Sequence, residues 1–579
     1  MNYKEAPAMT DPHDLIEVQR ESKQRKRIII IGGVAAGTSA ATKARRNDED
    51  ASITIYDMDQ HMSYSGCGLP YYIGDRVKNI DDLIPRGPDF FMKKYRVSVK
   101  LLHRVEQILP NSKTIRIRNL IDNYEFEDYY DVLVIATGAS PVPLPIEGFN
   151  LPHVFSLRNP SDAVAIKSFI SNNSPRNTVI VGTGFIGLEM ADNLALLGHN
   201  ITLIEKRQKP CPPLDEDMAD YLSEHLRKNG IRLITGTGVS LISKNEVVTD
   251  HNESISADLV IVAIGARPNT SLAESAGIRL GKTGAIAVDP QMRTNIPEIF
   301  ACGDCCENYF TLNGEKFYRP LGSTANKTGR IVGDVITGSD DSHRGVLGTG
   351  IFETLGMTIA STGLKESEAR DLGYNVIVSH NIKPNKPTYL GGKEMVIKTI
   401  ADVDTHQILG VQIVGYEGVD KRIDIFVTAM TARMKAEDLF HLDLAYAPPF
   451  STTKDPVMYS GMIIANALKR NRRLIPVDAL SSKASSDSSS PIILDTRVTS
   501  QYDAGHVEGA ISAPHESLRE VIKDLDHTRP IITYCNKGTT GNAAQNILLN
   551  KGFENVYNLS GGYKQYKIQM DTDKHQQDK

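Results

Sequence analysis

Cysteine is scarce in this sequence: six residues in 579, at positions 67, 211, 302, 305, 306 and 535. So few in so long a chain make no disulfide framework. That usage implies a reducing, cytoplasmic setting, where a lone cysteine is a chemical group rather than a staple. No C-x-x-C or C-x-x-x-x-C pair includes Cys67, which excludes a dithiol mechanism there. The one pair with metal-like spacing, Cys302 and Cys305 with Cys306 adjacent, has no second pair and no nearby histidine, and is read as incidental. Long apolar runs are also missing. Residues 28–31 and 132–136 are typical, far too short to span a bilayer. Residues 1–27 are polar and charged, without the apolar segment of a signal peptide. Cationic excess is absent as well. Lys and Arg number 65 against 70 Asp and Glu, a net charge of −5, and nothing in that balance suggests nucleic acid.

What is present is a globular composition with two nucleotide-binding patterns. Length alone predicts roughly three to five domains. Arg27 leads into an apolar strand over 28–31, then Gly32-Gly33-Val34-Ala35-Ala36-Gly37, then a helix over 38–46. Strand, glycine turn and helix bring backbone N–H groups and a helix N-terminus toward a pyrophosphate. Val34 stands where the second glycine of G-x-G-x-x-G belongs, so a plain tight turn stays open. Asp57 closes the next strand, about 20 residues on, where a ribose-binding acid is expected. The second copy is complete: a strand over 178–181, Gly182-Thr-Gly184-Phe-Ile-Gly187, a helix over 188–197, and a strand ending in Glu205. An acid there favours NADH, because it repels a 2′-phosphate. Lys206 and Arg207 follow directly and leave NADPH possible. A buried strand over 131–138 ends in Ala136-Thr137-Gly138, and 261–268, with Gly265, is a near copy. The stretch 298–304 ends in Gly303-Asp304 and suits a flavin ribitol or phosphate; buried strands with tight turns are the plainer alternative.

Two cysteines sit in reactive-looking settings. Cys67 lies among small residues in Ser63-Tyr64-Ser-Gly-Cys67-Gly, just after the strand ending at Asp57. Cys535 follows a buried strand over 531–534 and opens a glycine-containing loop, 535–541, before a helix over 542–550. Loop N–H groups and a helix dipole favour a thiolate in such a cradle. From about 346 strands such as 394–400 and 407–414 alternate with turns, and a helix over 421–434 follows. Tyr446 precedes Pro448-Pro449, which bars helix continuation and holds it on a rigid loop. A packed interface tyrosine is the alternative. Residues 481–490 form a Ser-rich linker.

On these motifs, residues 25–473 resemble the coenzyme A-disulfide reductase branch of the pyridine nucleotide-disulfide oxidoreductases, and 491–579 resemble a rhodanese domain. The match includes Gly32–Gly37 with Val34, 63–75, 182–187, 300–304, 321–327, 419–424 and 446–450. The resemblance implies an α/β architecture: two Rossmann-like domains for FAD and NAD(P), an α+β dimerisation domain and an α/β rhodanese domain. The implied division is an N-terminal arm at 1–24, FAD segments at 25–147 and 266–345, and an NAD(P)H domain at 148–265. The dimerisation domain then spans 346–473, a linker 474–490 and the rhodanese domain 491–579.

The same resemblance implies site roles. Cys67 would be the redox cysteine, stored as a mixed disulfide with coenzyme A. Tyr446, and Tyr389 less closely because Leu390 replaces the usual proline, would reach the partner subunit's site in a homodimer. Lys43, Arg46, Ser63, Tyr64, Lys421 and Arg422 would contact coenzyme A. Cys535 would carry a persulfide, and Asp495 and Arg497 would be a structural pair. Lys537 is the only cation between Asn536 and Gly541, where the family commonly carries arginines. A flexible linker of about 17 residues would reach roughly 20–25 Å and shuttle sulfur between the cysteines. Two other readings stay open. One is an NADH oxidase or peroxidase cycling Cys67 through sulfenic acid. The other is a persulfide relay or redox sensor in which Cys535 serves a protein partner.

Overall fold

A computed structural model describes residues 25–481 and 490–577. The N-terminal arm and most of the Ser-rich stretch lie outside the described residues. Among the described residues no helix is long and apolar enough to cross a membrane.

The first sheet is parallel, with five strands in the order Ile299–Ala301, Val132–Ile135, Arg27–Ile31, Ser52–Tyr56 and Val97–Lys100. Its central strands are apolar on both faces, as a sheet covered on both sides requires. The second parallel sheet runs Arg232–Thr235, Asn200–Glu205, Asn177–Val181, Leu259–Val262, Val154–Phe155. Between these sheets the chain crosses twice, and the crossings, Ala139–Pro141 and Ala266–Pro268, pair antiparallel.

A third sheet is antiparallel: Gly350–Thr354, Met357–Gly363, Ile408–Gly415, Glu394–Asp402, Val376–Pro384. The Val419–Thr431 and Pro456–Arg470 helices complete this unit, and buried Ile397, Ile413, Phe426 and Ile464 belong to its own core. The last sheet is parallel, in the order Arg473–Ile475, Val556–Leu559, Ile531–Tyr534, Ile492–Asp495, Ile511–Ser512.

That order corrects the expected linker. Leu474 and Ile475 pair with Asn558 and Leu559, and Val477 and Leu480 are buried in the same core. Only part of 474–490 is therefore available as a connection. The strand is only Arg473–Ile475, too short to show a period, and its partners lie some eighty positions away.

The last unit is also docked. Its C-terminal helix, Gly562–Gln577, lies on the Glu216–Lys228 helix of the second unit. The Tyr221 hydroxyl donates to Gln565 Oε1 at 2.9 Å, and Lys209 bridges Asp220 and Asp573 at 2.8 and 3.0 Å. Beside this contact the Lys398 ammonium, on the third sheet, meets Asp215, Asp217 and Glu366 at 2.8–3.0 Å. Asp217 also accepts from His380, whose other nitrogen meets Ser560 Oγ at 2.9 Å. Burial alone would raise the Asp217 pKa, but Lys398 and His380 hold it well below the usual carboxylate range.

Lys398→Met removes the ammonium that three carboxylates share, leaving them only the side chains of His380, Gln412 and Arg370. It should destabilise this junction by about 3–5 kcal/mol, read as a lowered thermal transition. An unchanged transition would mean that the network carries no net stability.

Candidate active site

The first cradle forms where the Arg27–Ile31 strand turns into the Ala35–Asn47 helix. Gly32 has φ of +110°, and a Cβ there would sit 2.2 Å from the Ala136 carbonyl oxygen. A Cβ on Gly37 would sit 1.9 Å from the Gly32 carbonyl oxygen, so the helix packs on the turn only through glycine. Val34 occupies the N-cap position and Ala36 is buried against Gly303. Asp57 Oδ2 accepts from the Gly33 N–H at 2.6 Å and Oδ1 from the Asp59 N–H at 2.8 Å. Burial raises the Asp57 carboxyl, partly offset by those two donors. Thr137 and Gly138 meet this edge, both bonded to Asn269. Gly303 donates to Thr328, and Asp304 is raised by burial against the pull of Arg158. Close backbone approach, a ribose-type acid and inward N–H groups fit a flavin dinucleotide.

The second cradle repeats the geometry. Gly182 has φ of +101°, Gly184 caps the Phe185–Leu196 helix, and a Cβ on Gly187 would lie 2.1 Å from the Gly182 oxygen. Glu205 is buried; Oε2 accepts from the Thr183 N–H and hydroxyl at 3.1 and 2.5 Å, and Oε1 from the Arg207 N–H at 3.0 Å. Gly265, at φ +113°, lies on the loop after the Leu259–Val262 strand. The residues fit a nicotinamide dinucleotide.

Cys67 stands between the two. It lies on the Gly66–Gly68 turn leading into the short Leu69–Ile73 helix, and the residue as a whole is exposed while protein closes around its thiol. Burial of its thiol raises the pKa, and so do Glu189 of the second unit and Asp304 of the first. The chain's own carboxylates therefore oppose the Cys67 thiolate. Glu189 is itself pushed up to about 7 by burial, and the Tyr71 hydroxyl donates to it at 3.4 Å. Ser63 N–H donates to the Gly33 carbonyl, and burial pushes Tyr64 up to about 12. Both residues thus border the first cradle.

The expected coenzyme A contacts divide. Arg46 is exposed and stacks on Tyr95 at 5.5 Å. Lys43 is paired with Asp334 at 2.8 Å and bonded to Asn47. Arg422 is corrected. It is 1% exposed and spent on Asp455 at 2.8 Å and on the carbonyls of Asn385, Gly418 and Phe450, so it holds the 446–455 loop rather than a ligand. Charge and motif position cannot distinguish such an arginine from a surface one. Lys421 and Tyr446 line a cavity of about 490 Å³ with Lys386 and Phe450, and the buried Arg422 forms part of its wall. Neither Cys67 nor Cys535 reaches that cavity, and Tyr389 is 75% exposed on the Thr388–Leu390 turn.

At Cys535 the backbone carbonyl accepts from Tyr563 N–H at 2.8 Å, and the Thr539–Asn550 helix begins four residues on. Asp495 and Arg497 form a bidentate pair at 2.5–3.0 Å, tied to Tyr534. The thiols of Cys305 and Cys306 are buried and donate to backbone carbonyls. Two residues escaped the sequence reading. Arg158 lies near Asp57 and Asp304 but belongs to no motif. Glu189 sits inside the second helix, where its burial against Cys67 leaves no local mark.

Two dinucleotide cradles flanking one exposed cysteine define a flavin- and pyridine nucleotide-linked disulfide oxidoreductase. Residues 26–326 match the pyridine nucleotide-disulphide oxidoreductase family, 353–456 its dimerisation domain, and 478–569 the rhodanese-like domain. The chain belongs to the pyridine nucleotide-disulphide oxidoreductases, an FAD- and NAD(P)H-dependent family, and carries a rhodanese-like domain. It is 36% identical over 456 residues to the NAD(P)H sulfur oxidoreductase (CoA-dependent) of Pyrococcus furiosus, covering 77% of this chain and all of that one. It is similar to the reduced Bacillus anthracis CoADR-RHD, with a TM-score of 0.91 and 32% identity over 94% of this chain and 98% of that one. It is also similar to the NAD-dependent persulfide reductase from A. fulgidus, with a TM-score of 0.85 and 35% identity over 93% of this chain and all of that one.

Gly37→Ala should yield protein with little bound flavin, whereas Gly187→Ala should keep flavin absorbance and lose NADH binding. Equal flavin content in both variants would contradict the assignment of the cradles. Glu189 carries charge only above about pH 7. Glu189→Gln should therefore speed alkylation of Cys67 about two- to fivefold at pH near 8 and leave it little changed near pH 6. Acceleration of equal size at both pH values would mean that the carboxylate charge is not the cause.

Proposed function

We propose that this enzyme reduces the sulfur–sulfur bond of coenzyme A persulfide, polysulfide or disulfide with electrons from NADH, with NADPH possible, and that Cys535 delivers the sulfane sulfur. One observation carries the reading. Cys67 is the exposed cysteine that borders both dinucleotide cradles, with Asp304 on one side and Glu189 on the other, and the other five cysteines are buried. A single-cysteine cycle needs its second sulfur from the substrate. The coenzyme A and persulfide named for its relatives support that substrate class.

In this reading 25–147 and 266–345 form the FAD domain, 148–265 the NAD(P)H domain and 346–473 the dimerisation domain of a homodimer. The Cys67 thiolate attacks the sulfur next to coenzyme A in CoA–S–SH. A Cys67–S–S–CoA bond forms, and hydrosulfide leaves with the electron pair of the broken bond. Tyr446 of the partner subunit, with Tyr389 as the second candidate, donates the proton to that leaving group. The two cradles would hold FAD and NADH, whose chemistry would provide the electron pair by which Cys67 returns to the thiolate and coenzyme A thiol is freed. Asp57 and Glu205 orient the riboses, Gly32–Gly37, 136–138, Gly303, Gly182, Gly184, Gly187 and Gly265 admit the cofactor backbones, and Arg46 and Lys421 face the coenzyme A phosphates.

The test is anaerobic NADH oxidation with coenzyme A persulfide and, separately, coenzyme A disulfide, compared as kcat/KM. A persulfide preference of about tenfold corresponds to about 1.4 kcal/mol of transition-state discrimination and is the expected result. Cys67→Ser should abolish both rates. Cys535→Ser should depress the rate driven by inorganic polysulfide with catalytic coenzyme A. Oxidation of NADH by oxygen or peroxide at full rate without coenzyme A would overturn the proposal in favour of an oxidase.

A further inference from the structure

The Cys535 loop is poor in usable positive charge. Its own cation, Lys537, is paired with Glu394, and so is Lys564 from the C-terminal Gly562–Gln577 helix. Both pairs hold Glu394 well below the usual carboxylate range despite its burial. A different lysine approaches from the reductase. Lys383, on the Val376–Pro384 edge strand of the third sheet, donates from Nζ to Thr539 Oγ1 at 3.2 Å. Thr539 opens the helix that follows Cys535. The Tyr459 ring lies 4.3 Å from the same ammonium and fixes its direction. Among the described residues no carboxylate forms an ion pair with Lys383, in contrast to Lys537 and Lys564.

We infer that Lys383 of the reductase supplies the cation of the Cys535 sulfur-transfer site, so that this site is assembled from two domains. The inference rests on the reading of Cys535 as a sulfur carrier. Burial and the nearby Lys537 and Lys454 ammonium groups push the Lys383 pKa down, and the Cys535 sulfur pulls it back up, which places the two groups within electrostatic reach. The transfer balances without an outside redox partner. A coenzyme A thiolate attacks the outer sulfur of Cys535–S–SH, and a CoA–S–SH bond forms. The Cys535 sulfur–sulfur bond breaks, and its electron pair leaves on Cys535 as thiolate. The proton stays on the transferred sulfur, and one negative charge moves from coenzyme A to Cys535. The Lys383 ammonium meets that charge.

The experiment compares alkylation of Cys535 by anionic iodoacetate and neutral iodoacetamide in the full-length holoenzyme, resolved by peptide mass spectrometry. In Lys383→Met the iodoacetate-to-iodoacetamide rate ratio should fall about three- to tenfold, and in Lys383→Arg it should stay near the wild-type value. The ratio of polysulfide-driven to disulfide-driven NADH oxidation should fall in Lys383→Met alone. A packing role would slow both reagents together, and an unchanged reagent ratio in Lys383→Met overturns the inference. Equal falls in the Met and Arg variants overturn it too, because charge is then not the cause. If Cys535 accepts no sulfur from polysulfide in wild-type protein, as a mass gain on its peptide would reveal, the sulfur-carrier reading fails first, while an altered reagent ratio still identifies Lys383 as the local cation.

Discussion

A buried ammonium holds this molecule in register. Lys398 takes Asp215 and Asp217 from the nicotinamide-binding unit and Glu366 from its own unit, and Asp217 is shared with His380, which reaches Ser560 of the rhodanese-like unit. Three units therefore meet on one set of charges. A charge buried this deeply is tolerated only when every neighbour is in place, so the contact favours one relative placement of the units over others. The position of Cys535 against the reductase follows from it.

That constraint changes how two distant cysteines work together. With Leu474 and Ile475 committed to a sheet, the carrier cannot depend on a tether of the full length once expected. The docked face instead brings Lys383 to Thr539 and Glu394 to Lys537 and Lys564. Under the proposed function the mobile element is coenzyme A, whose long pantetheine arm can move while the protein stays assembled. Cys67 and Cys535 also differ in electrostatic setting. Carboxylates from two units lie near the first, and the Lys383 ammonium lies within electrostatic reach of the second.

The two dinucleotide cradles are legible in the sequence because their rules are local. Gly32, Gly37, Gly182 and Gly187 mark backbone approaches that a methyl group would block, and Asp57 and Glu205 follow at a spacing set by one helix and one strand. Cys67 and Cys535 stand out for a similar reason, each placed at the end of a buried strand or turn. Arg422 misleads because burial is not written in a single residue; its role depends on Asp455, thirty-three positions on. Lys383, Arg158 and Glu189 are silent in the sequence, since each acquires its partners across a boundary between units. The linker was misjudged because a three-residue strand is too short to show a period, and its partner strand lies at the far end of the chain.

The paired crossings Ala139–Pro141 and Ala266–Pro268 carry a different consequence. Antiparallel neighbours lie about 5 Å apart, so the inserted nicotinamide-binding unit begins and ends at nearly one point. Its insertion closes the host sheet's connection without stretching it, and the ends add little loop-closure entropy. A unit joined in this way behaves as a cassette. Its neighbours sense it through the surface it presents, and its interior is free to change cofactor preference without disturbing the fold around it.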